Sequence, residues 1–187
     1  SPLIVVTHCE DPQRVKDREQ IFAEKYGDNL CAEHHHLIRD VDSCYLSSSL
    51  AVDLAKKYDA DLHVFHLTTE KEMELFTSGM IDGKKITAEV CVHHMLLNDS
   101  YYPELGNQIK CNPSIKTETD RQALIKSLKE DKIDIIATDH APHTWDEKMQ
   151  DYKDAPAGLP LVQHGLQILM DFYHKNILSL ETIVEKT

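Results

Sequence analysis

Four short apolar runs, each closed by a polar residue and separated by polar, helix-like stretches, constrain this chain more than any other feature. Residues 3–7 (LIVVT) stop at His8, and residues 61–68 (DLHVFHLT) contain His66. Residues 85–91 alternate toward Cys91, and residues 133–138 (IDIIAT) stop at Asp139. Runs rich in β-branched residues read as strands, and intervening helices make successive strands parallel through right-handed crossovers. The expected class is therefore α/β, with a four-stranded parallel sheet covered on both faces. Polar residues gathered after strand C-termini suit a barrel and a doubly wound sheet equally, and periodicity does not separate the two.

Between the runs, residues 12–26 read as a polar helix. Residues 43–58 read as a second, with Leu46, Leu50 and Leu54 as its apolar stripe. Thr69 with Glu72, and Thr117 with Asp120, have the spacing of helix-starting capping pairs. Residues 101–108 read as a loop, and 140–158 as a long loop with the length of a lid. Val162, Leu166, Leu169, Met170 and Tyr173 then mark a helix, and a last one begins near residue 180.

The length of 187 residues suits one domain but falls short of the roughly 250 residues of a complete eight-stranded α/β barrel. A net charge of -12 without any basic run repels a phosphate backbone, which argues against nucleic acid. No stretch approaches the ~18 apolar residues of a membrane helix, and residues 3–6 are too short for a signal-peptide core. A cytoplasmic protein without membrane contact is expected. Five cysteines with no CxxC pair argue against a disulfide framework and against a thiolate zinc site, leaving them as reduced, buried packing residues.

Twelve histidines are many for this length, and several stand at strand ends. His8, His66 and Asp139 would converge on one rim if their strands are neighbours. Neutral imidazoles and a carboxylate are suitable zinc ligands, and ligands drawn from separate strands leave the open position that catalysis needs. Taken singly, each reads better as a buried histidine or an aspartate capping a helix, and it is the three together that point to a metal.

The segments THCED, HVFHLTT, AEVCVHHMLLND, CNPSIKTETD and ATDHAPH, with APAG downstream, resemble successive blocks of the dihydroorotases of the amidohydrolase superfamily. The resemblance implies the C-terminal half of a (β/α)8 TIM-like barrel with one or two zinc ions per complete site. It also implies interconversion of N-carbamoyl-L-aspartate and L-dihydroorotate in pyrimidine biosynthesis. Carried over by position, His8 and His66 would hold the second zinc. Asp139 would bind the first and carry a proton between water and the leaving nitrogen. Asn112 would contact the substrate, His143 its carboxylate, and Ala157 and Gly158 would offer backbone contacts. His63 and His93 fit supporting or core positions better than ligand positions, and the loop run His34, His35 and His36 is not expected to bind metal.

The family's HxHxR strand and its metal-bridging lysine or aspartate do not precede His8. Residues 1–187 are therefore expected to form a partial barrel lacking its N-terminal strands and inactive alone. Two open sheet edges would lead it to aggregate, to form a homo-oligomer, or to depend on the missing N-terminal half. Ser114 and Lys116 also depart from the NPPLR of many relatives. Dihydropyrimidinases, hydantoinases and allantoinases share the barrel and stand as the first alternative. A non-catalytic dihydroorotase-like scaffold and a lone regulatory α/β domain follow.

Overall fold

In the computed structural model, which describes residues 3–187, four parallel strands form one sheet in the order β1-β2-β3-β4. They are β1 (Val5–Thr7), β2 (Leu62–Val64), β3 (Ile86–Cys91) and β4 (Ile135–Ala137). Each expected strand is present, and strand order equals chain order. Pairing aligns Thr7 with Val64, Val64 with Ala88 and Cys91 with Ala137, so all four C-termini open on one rim.

Between β1 and β2 lie α1 (Pro12–Tyr26), α2 (His35–Ile38) and α3 (Val41–Tyr58). After β3 come α4 (Val92–Leu96), α5 (Tyr102–Leu105) and α6 (Glu118–Lys129). After β4 come α7 (Trp145–Lys148), α8 (Gly165–His174) and α9 (Leu180–Lys186). The caps explain the boundaries. The Asp11 side chain accepts from Arg14 N at 2.7 Å with Pro12 in the first turn, and Asp40 accepts from Ser43 N at 2.9 Å. Thr117 and Asp120 form the reciprocal capping box that their spacing predicts.

Thr69 and Glu72 likewise exchange bonds, Thr69 N donating to Glu72 Oε2 and Glu72 N to Thr69 Oγ1, each at 3.2 Å, and the short helix that follows is a 3-10 turn, Lys71–Leu75. Three expectations need correction. Residues 101–108 are helical turns rather than a loop. Val162 precedes α8 and is exposed, so the buried stripe there is Leu169 and Phe172. In α3 the buried face is Ser43, Cys44, Ser48, Val52 and Ala55, while Leu46, Leu50 and Leu54 point outward. Small side chains let α3 lie close to the sheet and the adjoining turn, and the larger stripe is left on the opposite side.

The core is built on β2 and β3, where Leu62, Val64, Ala88 and Val90 pack against Val52, Leu124, Leu128 and Ile133. Burying such side chains contributes about 1.5–3 kcal/mol each before entropy is charged against it. The edge strand β1 is not covered on both faces, as Val5 and Val6 are 54% and 43% exposed. The segment 140–158 is fastened rather than free. Lys148 is buried and donates to the carbonyls of Lys110, Pro156 and Gly158 at 3.1, 2.9 and 3.0 Å.

Candidate metal centre and ligand cleft

His8 follows the last residue of β1, and His66 lies just beyond β2. Parallel pairing of these strands carries both side chains to the same rim, where His8 Nδ1 stands 3.1 Å from His66 Nε2. Two nitrogens bound at ~2.0–2.1 Å to one tetrahedral zinc ion would stand about 3.3 Å apart, so the observed spacing fits a shared ion.

Backbone conformation sets His66 and Asp139 apart. Five non-glycine residues among those described have positive φ. Asp59, Asp131 and Asn176 follow helices, where a left-handed residue ends the helix and satisfies its last carbonyls. His66 (φ 37°) and Asp139 (φ 44°) instead follow strands. A bulky side chain rarely adopts this conformation, and such strain concentrates at functional sites.

Two carboxylates support the histidines, and neither is marked by any pattern in the sequence. Glu10 Oε2 lies 3.0 Å from His8 Nε2 and 2.5 Å from Arg39 Nη1. Burial alone would raise the Glu10 carboxyl, but the bond to His8 and the charges of Arg39 and Lys116 outweigh it and hold the group below its ordinary value. An ionised Glu10 can only accept, so the imidazole hydrogen sits on His8 Nε2 and the Nδ1 lone pair faces His66. Glu89 Oε2 lies 3.1 Å from His63 Nε2, while its Oε1 accepts from His66 N at 3.4 Å. His63 is further held by Thr87 Oγ1 at 2.8 Å. Burial and the neighbouring His8 push His66 below its usual value, which keeps its imidazole neutral, the form that binds metal.

Asp139 is exposed and lines a groove of about 580 Å³ along β4 with Val92, Thr138 and Leu166. Its charge acts on His66, against the effect of burial. The other expected residues gather elsewhere. His143 Nε2 donates to the Ala157 carbonyl at 3.1 Å. Gly158 (φ 140°) passes so close to the Ala141 backbone that a Cβ there would lie 2.5 Å from the Ala141 oxygen. Asn112 and Ala157 share a cleft of about 390 Å³ with His35, Arg39, Lys110 and Tyr152. A larger groove of about 680 Å³ beside α6, lined by Glu70, Glu118 and Gln122, contains none of these residues.

His35, in the run set aside as a metal motif, anchors that cleft. Its Nε2 donates to the Cys111 carbonyl at 2.9 Å and lies 3.2 Å from Asn112 Oδ1, while its Nδ1 faces the Tyr152 hydroxyl at 2.8 Å. Full burial pushes it down to about 3. Lys116 folds back onto Ser114, with Nζ 2.7 Å from its hydroxyl, and the same hydroxyl donates to the Arg39 carbonyl at 2.9 Å. The five cysteines are free and four are buried, with Cys31 half-buried. Cys91, His93 and His94 bring their ligand atoms within 4.8 Å of one another. No described helix is long and apolar enough to cross a membrane.

No protein-family model matches the chain. It is 34% identical over 191 residues to the dihydroorotase of Bacillus cytotoxicus, covering 98% of this chain and 42% of that protein. It is likewise 34% identical over 189 residues to the dihydroorotase of Anoxybacillus flavithermus, covering 97% and 41%. Among solved structures, the dihydropyrimidinase of Brevibacillus agri superposes with a TM-score of 0.88 at 19% identity, over 98% of this chain and 41% of that one. The dihydroorotase of Saccharomyces cerevisiae, solved with 5-fluoroorotic acid, gives 0.70 at 17% identity over 79% and 42%. The sheet and its helices therefore have the fold of part of the α/β barrel of these enzymes. Matched over 98% of its length, the chain is a homologue of these dihydroorotases and spans about 42% of their length.

Proposed function

We propose that the chain supplies part of the catalytic centre of a zinc-dependent cyclic amidohydrolase that interconverts N-carbamoyl-L-aspartate and L-dihydroorotate. The observation that carries this reading is the 3.1 Å approach of His8 Nδ1 to His66 Nε2, with Asp139 beyond β4 acting on His66. His8, His66 and Asp139 are the proposed ligands. A bound zinc ion would act as a Lewis acid toward a ring carbonyl and its attacking water.

The remaining roles fall to this chain's own side chains. Asp139, exposed at the rim, is the group proposed to take a proton from water and return it to the leaving ring nitrogen. Asn112 offers an amide to the substrate from the cleft it shares with Ala157. His143 donates to the Ala157 carbonyl in the present arrangement and would turn that donor to the substrate carboxylate. Glu10 fixes the His8 tautomer, and Glu89 holds His63 and the His66 backbone.

The complete centre is proposed to draw on further strands outside residues 1–187, with the exposed edge β1 as the junction. Without them, the apolar edge and the outward leucines of α3 favour self-association. Dihydropyrimidinase-type chemistry is the second reading, favoured by the closeness of that backbone.

The deciding experiment measures zinc content and hydrolysis of dihydroorotate, dihydrouracil and hydantoin, with the chain alone and with it joined to an upstream segment bearing an HxH strand. Dihydroorotate turnover by the joined protein, lost in Asp139→Asn, is the expected result. Turnover of dihydrouracil alone would favour the second reading, and absence of bound zinc would overturn both.

A further inference from the structure

The C-terminus of β3 carries a feature that the proposed centre does not use. Cys91 ends the strand, and His93 and His94 follow in the first turn of α4. All three side chains are buried, with relative exposures of 0%, 1% and 3%. Both ring nitrogens of His93 and the Nδ1 of His94 are buried without a hydrogen-bond partner. A neutral imidazole has one N–H and one lone pair, so His93 leaves both unmet, a costly arrangement in a protein interior.

The hydrogen bonding of His94 shows where its lone pair lies. His94 Nε2 stands 3.1 Å from the Pro113 carbonyl, which can only accept. The hydrogen is therefore on Nε2, and the lone pair is on the unpartnered Nδ1. A histidine that donates one ring N–H to a backbone carbonyl and leaves the other nitrogen free has the arrangement of a metal-binding imidazole. Cys111 Sγ donates to the same Pro113 carbonyl at 3.2 Å, which ties it to the Nε2 side of His94 and leaves three candidate ligands.

We propose that Cys91, His93 and His94 form a second, buried metal site for a soft or borderline transition-metal ion such as zinc or monovalent copper, separate from His8, His66 and Asp139. One sulfur and two imidazole nitrogens suit such an ion better than magnesium or calcium. Their ligand atoms already lie within 4.8 Å of one another, and small side-chain rotations would close them around an ion. Binding releases the Cys91 thiol proton to solvent. Burial, with the nearby charges of Glu89 and Asp139, pushes that thiol well up. Burial also drives His93 down to about 3, keeping it in the neutral, ligating form.

The proposal is independent of the catalytic reading, because only this site contains a thiolate. Cobalt(II) is the probe, added to the full chain and to its His8→Ala/His66→Ala variant. The expected result is a thiolate-to-cobalt charge-transfer band in the near ultraviolet, saturating at one ion per chain in both proteins and displaced by zinc. Cys91→Ala should abolish it, while Cys9→Ala and Cys111→Ala should not. Absence of the band, or its survival in Cys91→Ala, overturns the proposal. If Cys91→Ala loses its helical circular dichroism, X-ray absorption on the cobalt-loaded His8→Ala/His66→Ala protein decides instead. One sulfur among nitrogen neighbours supports the site, and a sulfur-free shell rejects it.

Discussion

Glu10 Oε2 lies 3.0 Å from His8 Nε2, across the imidazole ring from the Nδ1 that faces His66. This is the relationship by which a carboxylate fixes a histidine's tautomer and raises its basicity toward a metal. Glu10→Gln keeps the shape but removes the charge. Zinc affinity at the His8–His66 pair should fall roughly 10–100-fold, as read by competition with a chromophoric chelator. An unchanged affinity would remove Glu10 from the centre.

Gly158 stands where two constraints meet, a φ of 140° and a path that would bring a Cβ to 2.5 Å from the Ala141 carbonyl oxygen. Backbone cannot yield there as a flexible side chain could. Gly158→Ala should cost roughly 2–4 kcal/mol in urea denaturation and loosen the hydrogen bond from His143 to Ala157. Hydrogen exchange across 140–158 would show that loosening directly.

His35 gives the fold a predictable acid response. Its imidazole, pushed down to about 3 by burial, stays neutral in the folded chain while the unfolded chain takes up a proton near pH 6.5. The unfolded state therefore binds more protons between those values, and stability falls as pH drops through that window. The His35 contribution should approach one proton, about 1.4 kcal/mol per pH unit, and vanish in His35→Gln. Denaturant midpoints compared at pH 7.5 and 5 for the two proteins measure it.

Val5 and Val6 in β1 are exposed, as are Leu50 and Leu54 on α3. Val5→Lys combined with Leu50→Glu should shift the chain toward monomer at fixed concentration in sedimentation velocity. Unchanged sedimentation would mean that this edge does not drive association.

The sequence conveyed the sheet well because its four strands are bounded by signals that act over a few residues. β-Branched runs, Pro12 after Asp11, and the Thr117–Asp120 box all work locally. The site was legible only in part. His8, His66 and Asp139 stand out at strand ends, but their partners Glu10, Arg39 and Glu89 look like ordinary surface charges until the chain is folded. Arg39 reaches Glu10 from a segment 29 residues away, and no local pattern encodes that. The α3 stripe misled for a related reason. Periodicity shows that a helix has an apolar face but not which face its own chain covers, and here small side chains took the inner one.

Strand order that equals chain order has a consequence for how the molecule is made. Each strand after the first meets an edge already laid down by the strand before it. A chain emerging from the ribosome can therefore extend the sheet one unit at a time, without waiting for distant sequence. The growing sheet always has a receptive edge.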